Sequence, residues 1–417
     1  MKVLLLNTSE RIGGAAIAAN RLMKALNNNG IEAKTLVLNK QTDDEKVIPI
    51  QSTFIKQQLA RFYFLWERWI IFLHNRLSRK NLFKVSIANT GFDVSGHPLV
   101  KAADIIHIHW INQGFLSLKE LKKLTQTGKP IVWTLHDLWI TTGICHYPGN
   151  CEKYKVSCNN CPMLLEGKTN DLASKIFRQK KDLNLNCIHY IGCSRWIAEK
   201  AKTGHLLKGA NIRSIPNPID TTVFYPKNKT EVRKKLQLPI DKRLLLFSAA
   251  NISDTRKGGI FFIEACRRMD ENYPESAQTL EIVLLGKGEQ SFLSEVKLTT
   301  HLLHYLSDDS NLADVYSAVD VFVIPSLEDN LPNTIMESMA CGTPCVGFNV
   351  GGIPEMIDHQ QNGYVANYKD ADDLAKGIKW CLENYRLLSG QARKKTENYY
   401  SEEVVVQQYI HLYQQIL

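Results

Sequence analysis

Short apolar runs alternate with helical stretches along the chain, and this rhythm occurs twice. In the first half we expect strands at Lys2–Leu6, Glu32–Leu38, Ile105–His109, Ile131–Leu135, Cys187–Gly192 and Asn211–Ile215. In the second half we expect strands at Arg243–Ala249, Glu281–Leu285, Val321–Ile324 and Cys345–Gly347. Apolar strands separated by helices are typical of parallel sheets that are covered on both faces. The pattern therefore predicts an α/β protein with two doubly wound, Rossmann-like domains facing each other across a cleft.

The prolines of the stretch Pro216-Asn-Pro-Ile-Asp220 interrupt both patterns, which predicts the joint between the domains there. We expect an N-terminal domain at residues 1–220, a C-terminal domain at 221–397 and a final helix at 398–417. Ser401 is the expected N-cap of that helix, because a serine hydroxyl can accept a hydrogen bond from the first turn.

Residues 54–84 are both aromatic and basic. Their apolar side chains recur at spacings of three and four, which is typical of a helix. Seven cations against Glu67 alone give the segment a net charge of +6, most of the +9 of the whole chain. Lysine and arginine interleaved with tryptophan and phenylalanine suit an anionic membrane surface. The alternative is a pair of helices packed on the domain with its charges in solvent, and no recognised motif points to nucleic acid.

Composition narrows the class of protein. The chain is 44% hydrophobic and 22% charged, which excludes a disordered or collagen-like chain. No stretch reaches the ~18 uninterrupted apolar residues of a membrane span. The first apolar run is shorter than the roughly 7–15 residues of a secretory signal. We therefore expect a cytoplasmic protein, peripheral at the inner face of the membrane.

Two turns that connect a strand to a helix have the composition of phosphate-binding loops. Gly13-Gly14 follows the first strand, and Asp254-Thr-Arg-Lys-Gly-Gly259 follows the first strand of the second half. Backbone N–H groups converge at such turns, and the helix N-terminus carries partial positive charge. Arg256 and Lys257 add charge neutralisation that suits a diphosphate. A simple tight turn at Gly13-Gly14 and a solvated loop end at Arg256 are the alternatives.

The stretch from Ile324 to Pro344 combines a strand, an acidic turn and the start of a helix. Asp329 lies in the turn and Glu337 lies about one helical turn into the helix, so both carboxylates could accept hydrogen bonds from sugar hydroxyls. The first N–H groups of the helix, at Asn333 and Thr334, could hold a phosphate. Helix capping is the alternative for either acidic residue.

Four cysteines lie in a turn-rich loop, residues 145–161: Cys145, Cys151, Cys158 and Cys161. Cys-x-x-Cys with two further thiols can form a tetrahedral structural zinc site, for which His146 is a spare ligand. Reduced thiols and two disulfides are the alternatives, and disulfides are disfavoured in the cytosol. Upstream, His107 and His109 alternate on a strand and should point to one face of the sheet, either as core imidazoles or towards the cleft.

Several motifs occur together and in order along the chain, from the first strand to about residue 370. Together they resemble the signature of the family-4 (group 1) glycosyltransferases. The motifs are Gly13-Gly14, Thr134-Leu-His-Asp-Leu-Trp139, Ile215-Pro-Asn-Pro-Ile-Asp220, Arg256-Lys257-Gly258, Leu285-Gly286-Lys287-Gly288, Pro325-Ser-Leu-Glu-Asp-Asn-Leu-Pro-Asn-Thr-Ile-Met-Glu337, Ala340-Cys-Gly-Thr-Pro344 and Gly351-Gly-Ile-Pro-Glu355.

The resemblance implies a GT-B fold and sugar transfer from a nucleotide donor with retention at the anomeric carbon. It implies that the C-terminal domain binds the nucleotide, that the N-terminal domain binds the acceptor, and that the last helix crosses back to the N-terminal domain. By this similarity Arg256 and Lys257 neutralise the diphosphate. Asp329 faces the donor sugar, and His136 orients its hydroxyls.

The same resemblance implies that Glu337 holds the ribose hydroxyls, and that Gly13, Gly14, Gly286, Asn333 and Thr334 contribute to donor binding. The family usually carries glutamate where Asp329 stands, and usually an arginine where Ile252 stands, for which Arg256 could substitute. The one Asp-x-Asp sequence, Asp370-Ala-Asp372, is better explained as helix capping than as a metal site. We therefore expect no cofactor to be required for catalysis.

The leading hypothesis is a retaining glycosyltransferase that extends a lipid-linked glycan in the synthesis of a cell-surface polysaccharide, such as a capsule or exopolysaccharide. One alternative is a sugar phosphorylase or synthase that acts on a soluble acceptor. The other is a non-catalytic protein that binds sugar nucleotides.

Overall fold

The computed structural model describes the chain except for residues 52, 166, 253, 288–296, 304, 305 and 307, and except for the side chains of residues 250 and 287. Gly288 of the motif that begins at Leu285 therefore lies outside the described residues. The chain forms two compact units. Unit 1 comprises Met1–Pro216 and Val406–Leu417, and unit 2 comprises Asn217–Val405.

The strands are β1 Lys2–Ser9, β2 Glu32–Asn39, β3 Val47–Pro49, β4 Ile105–Ile108, β5 Ile131–Leu135, β6 Ile188–Gly192, β7 Ile212–Ser214, β8 Arg243–Asn251, β9 Leu280–Lys287, β10 Thr300–Leu303, β11 Val321–Ile324, β12 Cys345–Phe348 and β13 Gly363–Ala366.

The helices are α1 Gly14–Asn28, α2 Phe54–His74, α3 Pro98–Ala102, α4 Leu118–Thr125, α5 Leu172–Lys181, α6 Arg195–Thr203, α7 Lys229–Lys235, α8 Gly259–Asn272, α9 Pro274–Ala277, α10 Asp309–Ala318, α11 Asn333–Ala340, α12 Ile353–Met356, α13 Ala371–Glu383, α14 Tyr385–Tyr399 and α15 Glu402–Ile416.

Each unit is built on one parallel sheet. The strand order is β3-β2-β1-β4-β5-β6-β7 in unit 1 and β10-β9-β8-β11-β12-β13 in unit 2. The described residues of β4, β5, β11 and β12 are all buried, because helices cover both faces of a doubly wound sheet. Both sheets confirm the predicted α/β class and contain all ten predicted strands.

The register of unit 1 brings three strand ends together. Leu6 of β1 pairs with Ile108 of β4, and Ile108 pairs with Trp133 of β5. The residues that follow β1, β4 and β5 therefore meet at one edge of the sheet, where ligands of doubly wound folds bind. Unit 2 aligns its central strands in the same way, with Val323 of β11 paired to Phe247 of β8 and to Val346 of β12.

The final helix begins at Glu402, four residues after its predicted start at 398, and directly follows the predicted N-cap Ser401. Tyr400 and Ser401 separate α14 from α15, and the Ser401 hydroxyl accepts a hydrogen bond from the N–H of Val404 at 3.4 Å. From Val406 onwards α15 belongs to unit 1, where Tyr409 and Tyr413 are buried.

The segment 54–84 contains the predicted helix. It forms the single helix α2 followed by turns, and not the pair of helices of the alternative interpretation, because Arg76 and Leu77 adopt positive φ angles just after the helix ends at His74. The buried face of α2 also carries a charged pair, whereas the alternative interpretation expected the charges of this segment to lie in solvent. Arg68 contacts Glu67 at 2.8 Å, and Glu67 accepts hydrogen bonds from the N–H groups of Ile87 and Ala88.

Candidate active site

In unit 2, a charged turn connects β8 to α8. Gly258 has a φ angle of +71°, and a Cβ atom there would lie 1.8 Å from the carbonyl oxygen of Pro325 at the end of β11. Only glycine permits this approach. Leu327 donates its N–H to the Arg256 carbonyl at 2.8 Å, which fastens the two loops together. The turn that carries Arg256 and Lys257 is therefore held against the turn that carries Asp329.

Asp329 is the centre of this charged group. Its Oδ2 lies 2.6 Å from the Lys257 ammonium and 3.9 Å from Arg256, and it accepts a hydrogen bond from the Ser326 hydroxyl at 3.2 Å. Burial raises the pKa of Asp329, but the two cations outweigh burial and hold the pKa below its ordinary value. The structure thus brings together three of the predicted residues, with Asp329 ionised between two cations.

The position of Asp329 is fixed by its backbone. Gly351 has a φ angle of +62°, and a Cβ atom there would lie 1.7 Å from the Asp329 carbonyl oxygen. Gly352 donates its N–H to the same oxygen at 3.2 Å. The glycine pair of the motif Gly351-Gly-Ile-Pro-Glu355 therefore lets a second loop close directly on the acidic turn.

Helix α11 places the next group of predicted residues. Asn333 and Thr334 are its first two residues and follow Pro332, and the Asn333 side chain accepts a hydrogen bond from Asn217 at 3.2 Å. Glu337 is buried, and its Oε2 accepts a hydrogen bond from the Tyr316 hydroxyl at 2.9 Å. The donor-binding roles of these residues stay predictions. Tyr316 was missed because nothing distinguishes it from the other apolar positions of α10.

The remaining predicted glycines lie at strand ends. Gly286 is near the end of β9 and faces Ala249 of β8, next to an irregularity in the pairing of the two strands. Gly13 and Gly14 lie at the start of α1 in unit 1, where both are exposed. Their predicted contribution to donor binding stays a prediction.

In unit 1, the predicted residue His136 follows β5 directly. Its neighbour Asp137 accepts a hydrogen bond from the Trp110 indole at 2.9 Å and contacts Nδ1 of His146 at 2.7 Å. Burial raises the pKa of Asp137, but His146 and the other donors hold it below its ordinary value. The carboxylate therefore anchors the His-Asp turn, and Tyr147 adds a hydrogen bond to the His136 carbonyl at 3.2 Å.

His136 itself is uncharged at neutral pH. Burial lowers its pKa to about 4, and the nearby Asp137 carboxylate only partly opposes this effect. Its Nε2 lies 2.9 Å from Nδ1 of His109, which follows β4. The rings of His107 and His109 are 4.4 Å apart, so the prediction that both point to one face of the sheet is confirmed.

The four cysteines line one small cavity in the loop that follows His136, and all four are free thiols. The N–H of Gly143 donates to Sγ of Cys158 at 3.1 Å. Burial raises the pKa of Cys158 to about 11 and that of Cys161 to about 12. Among the described residues, no group of three or more histidine, cysteine, aspartate or glutamate side chains is arranged to hold a metal ion. Zinc binding at this loop stays a prediction, which metal analysis of the purified chain tests.

Lys180 supports the same loop and was not singled out in the sequence. The ammonium is fully buried, donates to the carbonyls of Trp139 and Thr142 at 2.5 and 3.0 Å, and lies 3.7 Å from the Trp139 ring centre. Burial lowers the pKa of Lys180 to about 7. Lys180 shares the face of α5 that buries Ala173, Ile176 and Phe177, so its helical spacing is the sequence signal for its burial.

Comparison with known proteins places this geometry in a family. Residues 12–223, more than half of the chain, match the family described as Glycosyltransferase Family 4, and residues 242–384 match the family described as Glycosyl transferases group 1. Sucrose-phosphate synthase from Thermosynechococcus elongatus has a similar structure, with a TM-score of 0.68, 20% identity, and coverage of 100% of this chain and 98% of that one. The two parallel-sheet units have the GT-B fold that the sequence resemblance implied.

Two curated relatives match part of the chain. N-acetyl-alpha-D-glucosaminyl L-malate synthase of Bacillus anthracis is 25% identical over 52% of this chain and 57% of its own length. UDP-Gal:alpha-D-GlcNAc-diphosphoundecaprenol alpha-1,3-galactosyltransferase of Escherichia coli is 25% identical over 54% of this chain and 58% of its own length. The chain thus spans a little over half the length of these relatives. It belongs to glycosyltransferase family 4.

Proposed function

We propose that this protein transfers a sugar from a nucleotide donor to a lipid-linked glycan, with retention at the anomeric carbon, in the synthesis of a cell-surface polysaccharide. The observation that carries the proposal is the charged group of unit 2, in which Arg256 and Lys257 surround Asp329 at the carboxyl ends of β8 and β11. A nucleoside diphosphate leaves with negative charge, and fixed cations stabilise charge that develops in the transition state.

The ion pair also suggests how the donor is received. In the structure the Lys257 ammonium is bound to Asp329, and Arg256 donates to the Glu328 carbonyl at 3.0 Å. We infer that an incoming diphosphate shares these cations with Asp329. The carboxylate then keeps the cations in place, and its remaining acceptor capacity is directed at a hydroxyl of the donor sugar.

His136 supplies the matching group in unit 1. As a neutral imidazole it can donate or accept a hydrogen bond without adding charge beside the reacting sugar. We propose that His136 orients the hydroxyls of the donor sugar, and that unit 1 binds the acceptor. The Escherichia coli relative is named for a UDP-sugar donor and a diphosphoundecaprenol-linked acceptor, which supports the proposed classes of both substrates.

A surface of α2 and the turns after it supports an acceptor held at a membrane. This α2 patch consists of nine exposed apolar side chains and six exposed cations: Phe54, Ile55, Phe62, Leu65, Trp66, Trp69, Leu73, Leu77, Phe83, Lys56, Arg61, Arg76, Arg79, Lys80 and Lys84. The one acidic residue of the segment, Glu67, is buried. Aromatic rings enter the headgroup region, and each cation near an anionic surface contributes about 1 kcal/mol.

The structure contains no helix, within the part of the chain it describes, that is long and apolar enough to cross a bilayer. The α2 patch is therefore proposed to lie on the membrane surface, with its cations at the lipid phosphates. Binding of the α2 patch to an anionic membrane is tested by flotation of the full chain with phosphatidylglycerol vesicles and with phosphatidylcholine vesicles. We expect binding to the anionic vesicles, lost in the variant Phe62→Ser/Trp69→Ser and kept in the variant Lys376→Gln/Lys394→Gln, which removes two exposed cations of unit 2.

Transfer itself is tested with UDP-, GDP- and ADP-sugars, each offered with a polyprenyl-diphosphate-linked glycan or with the same glycan free of lipid. Mass spectrometry identifies the product and NMR its anomeric configuration. We expect one donor to react, the lipid-linked acceptor to be preferred, and the configuration to be retained. Transfer to the free glycan or to inorganic phosphate alone would indicate a synthase or a phosphorylase. Nucleotide binding without transfer would indicate a non-catalytic protein.

A further inference from the structure

Three histidines of unit 1 form a file of adjacent rings that runs from the core towards the site. The ring centres of His107 and His109 are 4.4 Å apart, and those of His109 and His136 are 5.2 Å apart with planes inclined by 25°. His107 and His109 are buried, whereas His136 is partly exposed. The proposed role of His136 accounts for one member of this file and leaves His107 and His109 unexplained.

The inner end of the file is anchored by hydroxyl groups. Nδ1 of His107 lies 2.7 Å from the Tyr413 hydroxyl, and its Nε2 lies 2.8 Å from the Thr134 hydroxyl. The Tyr409 hydroxyl lies 3.2 Å from that of Thr134. Both ring nitrogens of His107 thus have partners, so its orientation is fixed, and the ring in turn provides a rigid surface for His109.

The hydrogen bond between His109 and His136 couples the proton positions of the two rings. Two neutral imidazoles share a single proton across such a bond, so one ring donates and the other accepts. Burial lowers the pKa of both histidines, to about 4 for His136 and well below the ordinary value for His109. At neutral pH neither ring therefore carries a second proton, and the tautomer of one ring determines that of the other.

The far nitrogen of His109 indicates the direction of the bond. Its Nε2 is buried and has no hydrogen-bond partner among the described residues. A buried N–H without an acceptor is rarer in proteins than a buried acceptor that lacks a donor. The His109 proton is therefore favoured on Nδ1, from which it is donated to Nε2 of His136. This arrangement leaves the proton of His136 on Nδ1.

We propose that His109 is a positioning residue, which holds the ring of His136 in one orientation and in the Nδ1-protonated tautomer. The expected effect of His109 on activity rests on the proposed function of His136. Its expected effect on the orientation and tautomer of the His136 ring does not. This role explains why the buried position directly after β4 holds a histidine and not an apolar residue. A ring that is held in place loses no free energy to reorientation when the sugar binds.

The experiment compares His109→Leu, which removes the partner of His136, with His109→Asn, whose side-chain amide places a polar atom near the position of Nδ1. His189→Leu is the matched control, because His189 lies half-buried on the neighbouring strand β6. The direct readout is a long-range 1H–15N spectrum of the full chain labelled on histidine, which distinguishes the two tautomers of a neutral ring. We expect the Nδ1-H pattern for His136 in the wild type, in His109→Asn and in the control. In His109→Leu we expect loss of that pattern or a mixture of tautomers.

Steady-state kinetics give the second readout. In His109→Leu we expect kcat to fall by about tenfold to hundredfold with KM changed by less than about threefold, because misplaced groups affect the reaction more than substrate binding. His109→Asn should recover most of this loss. An unchanged His136 tautomer in His109→Leu, confirmed as folded by its melting transition, would overturn the proposal. If the wild type transfers no sugar, the proposed function fails while the spectrum still decides the role of His109.

Discussion

Burial has opposite outcomes for two predicted site residues, Asp329 of unit 2 and His136 of unit 1. In unit 2, burial acts to raise the pKa of Asp329, yet Lys257 at 2.6 Å and Arg256 keep the group ionised. In unit 1, burial of His136 outweighs the opposing effect of the Asp137 carboxylate, and the pKa of His136 falls to about 4. The Asp137 carboxylate follows His136 in the chain, but it is bound to His146 and Trp110.

The difference shows that the partner, and not burial alone, decides whether a group is charged. In the proposed function, unit 2 supplies charge where the diphosphate leaves, and unit 1 supplies neutral hydrogen-bonding groups for the sugar. A charged imidazole next to a developing positive anomeric centre would oppose the proposed reaction, whereas a neutral one would not.

Removing one cation of unit 2 should have the largest effect. Lys257→Met deletes the ammonium that lies 2.6 Å from Asp329. We expect kcat/KM to fall by about 10²–10³-fold, the usual cost of losing one fixed group that stabilises developing negative charge. Initial rates at several donor concentrations measure this, with Lys376→Met on the exposed face of α13 as the control. A loss no larger than in the control would remove Lys257 from the proposed mechanism.

The charged site was the easier one to predict from the sequence. Arg256, Lys257 and Asp329 lie in loops that directly follow apolar strands, and the order of doubly wound strands brings such loops to one edge. Gly258 and Gly351 also indicate close packing of these loops, since a glycine at each position allows the backbone to approach Pro325 and Asp329, respectively. Local sequence and topology were sufficient to place these three residues at one edge, but their ion pairs were not predicted and their roles in donor binding stay predictions.

The neutral site depends on contacts between distant parts of the chain. Tyr413 contacts His107 across 306 positions of the chain. In unit 2, Tyr316 contacts Glu337 from a helix that has no distinguishing pattern. The strands that the sequence did not reveal, β3, β10 and β13, are short and lie at sheet edges. An edge strand pairs on one side only, so its apolar pattern is weaker than that of a central strand.

Acidification should destabilise unit 1 before unit 2. Between about pH 6.5 and pH 4, unfolded histidines bind protons that folded His107, with a pKa of about 3, and His136, with a pKa of about 4, do not bind. The free energy of unfolding therefore decreases as the pH is lowered, by up to about 1.4 kcal/mol per pH unit for each histidine. The lowered pKa of Asp329 keeps its contribution intact until the pH falls below about 4.

Hydrogen exchange measured by mass spectrometry at pH 7 and pH 5 resolves the two units. After correction for the intrinsic pH dependence of exchange, we expect β4 and β5 to lose protection while β8 and β11 keep theirs. The variant His107→Gln should reduce the difference between the two pH values. Equal losses in both units would contradict the expected effect of the neutral imidazoles of His107 and His136 in unit 1.

Removing the Tyr413 hydroxyl, which anchors the inner end of the histidine file, should have a smaller effect, and that effect should be on stability. Tyr413→Phe leaves Nδ1 of His107 buried without its 2.7 Å partner, and an unsatisfied buried polar group costs about 1–3 kcal/mol. Tyr409→Phe is the matched control, because Thr134 keeps its hydrogen bond to His107 when the Tyr409 hydroxyl is removed. Urea unfolding of both variants measures the difference. Equal destabilisation would show that packing of α15, and not the hydrogen bond, provides the stability.

A tyrosine hydroxyl in unit 2 should have the smallest effect, and it sharpens the comparison. Tyr316 orients Glu337 as Tyr413 orients His107, but Glu337 is proposed to bind ribose, so the loss should affect binding more than folding. Tyr316→Phe removes a hydrogen bond worth about 0.5–1.5 kcal/mol, which corresponds to roughly two- to tenfold weaker nucleotide binding. Calorimetric titration with the nucleotide measures this, and Tyr364→Phe, which removes the hydroxyl that donates to Asp373, is the control.

If Tyr316→Phe lowered only the melting temperature and left nucleotide affinity unchanged, the Tyr316–Glu337 pair would belong to the core of unit 2. Ribose recognition would then depend on other residues.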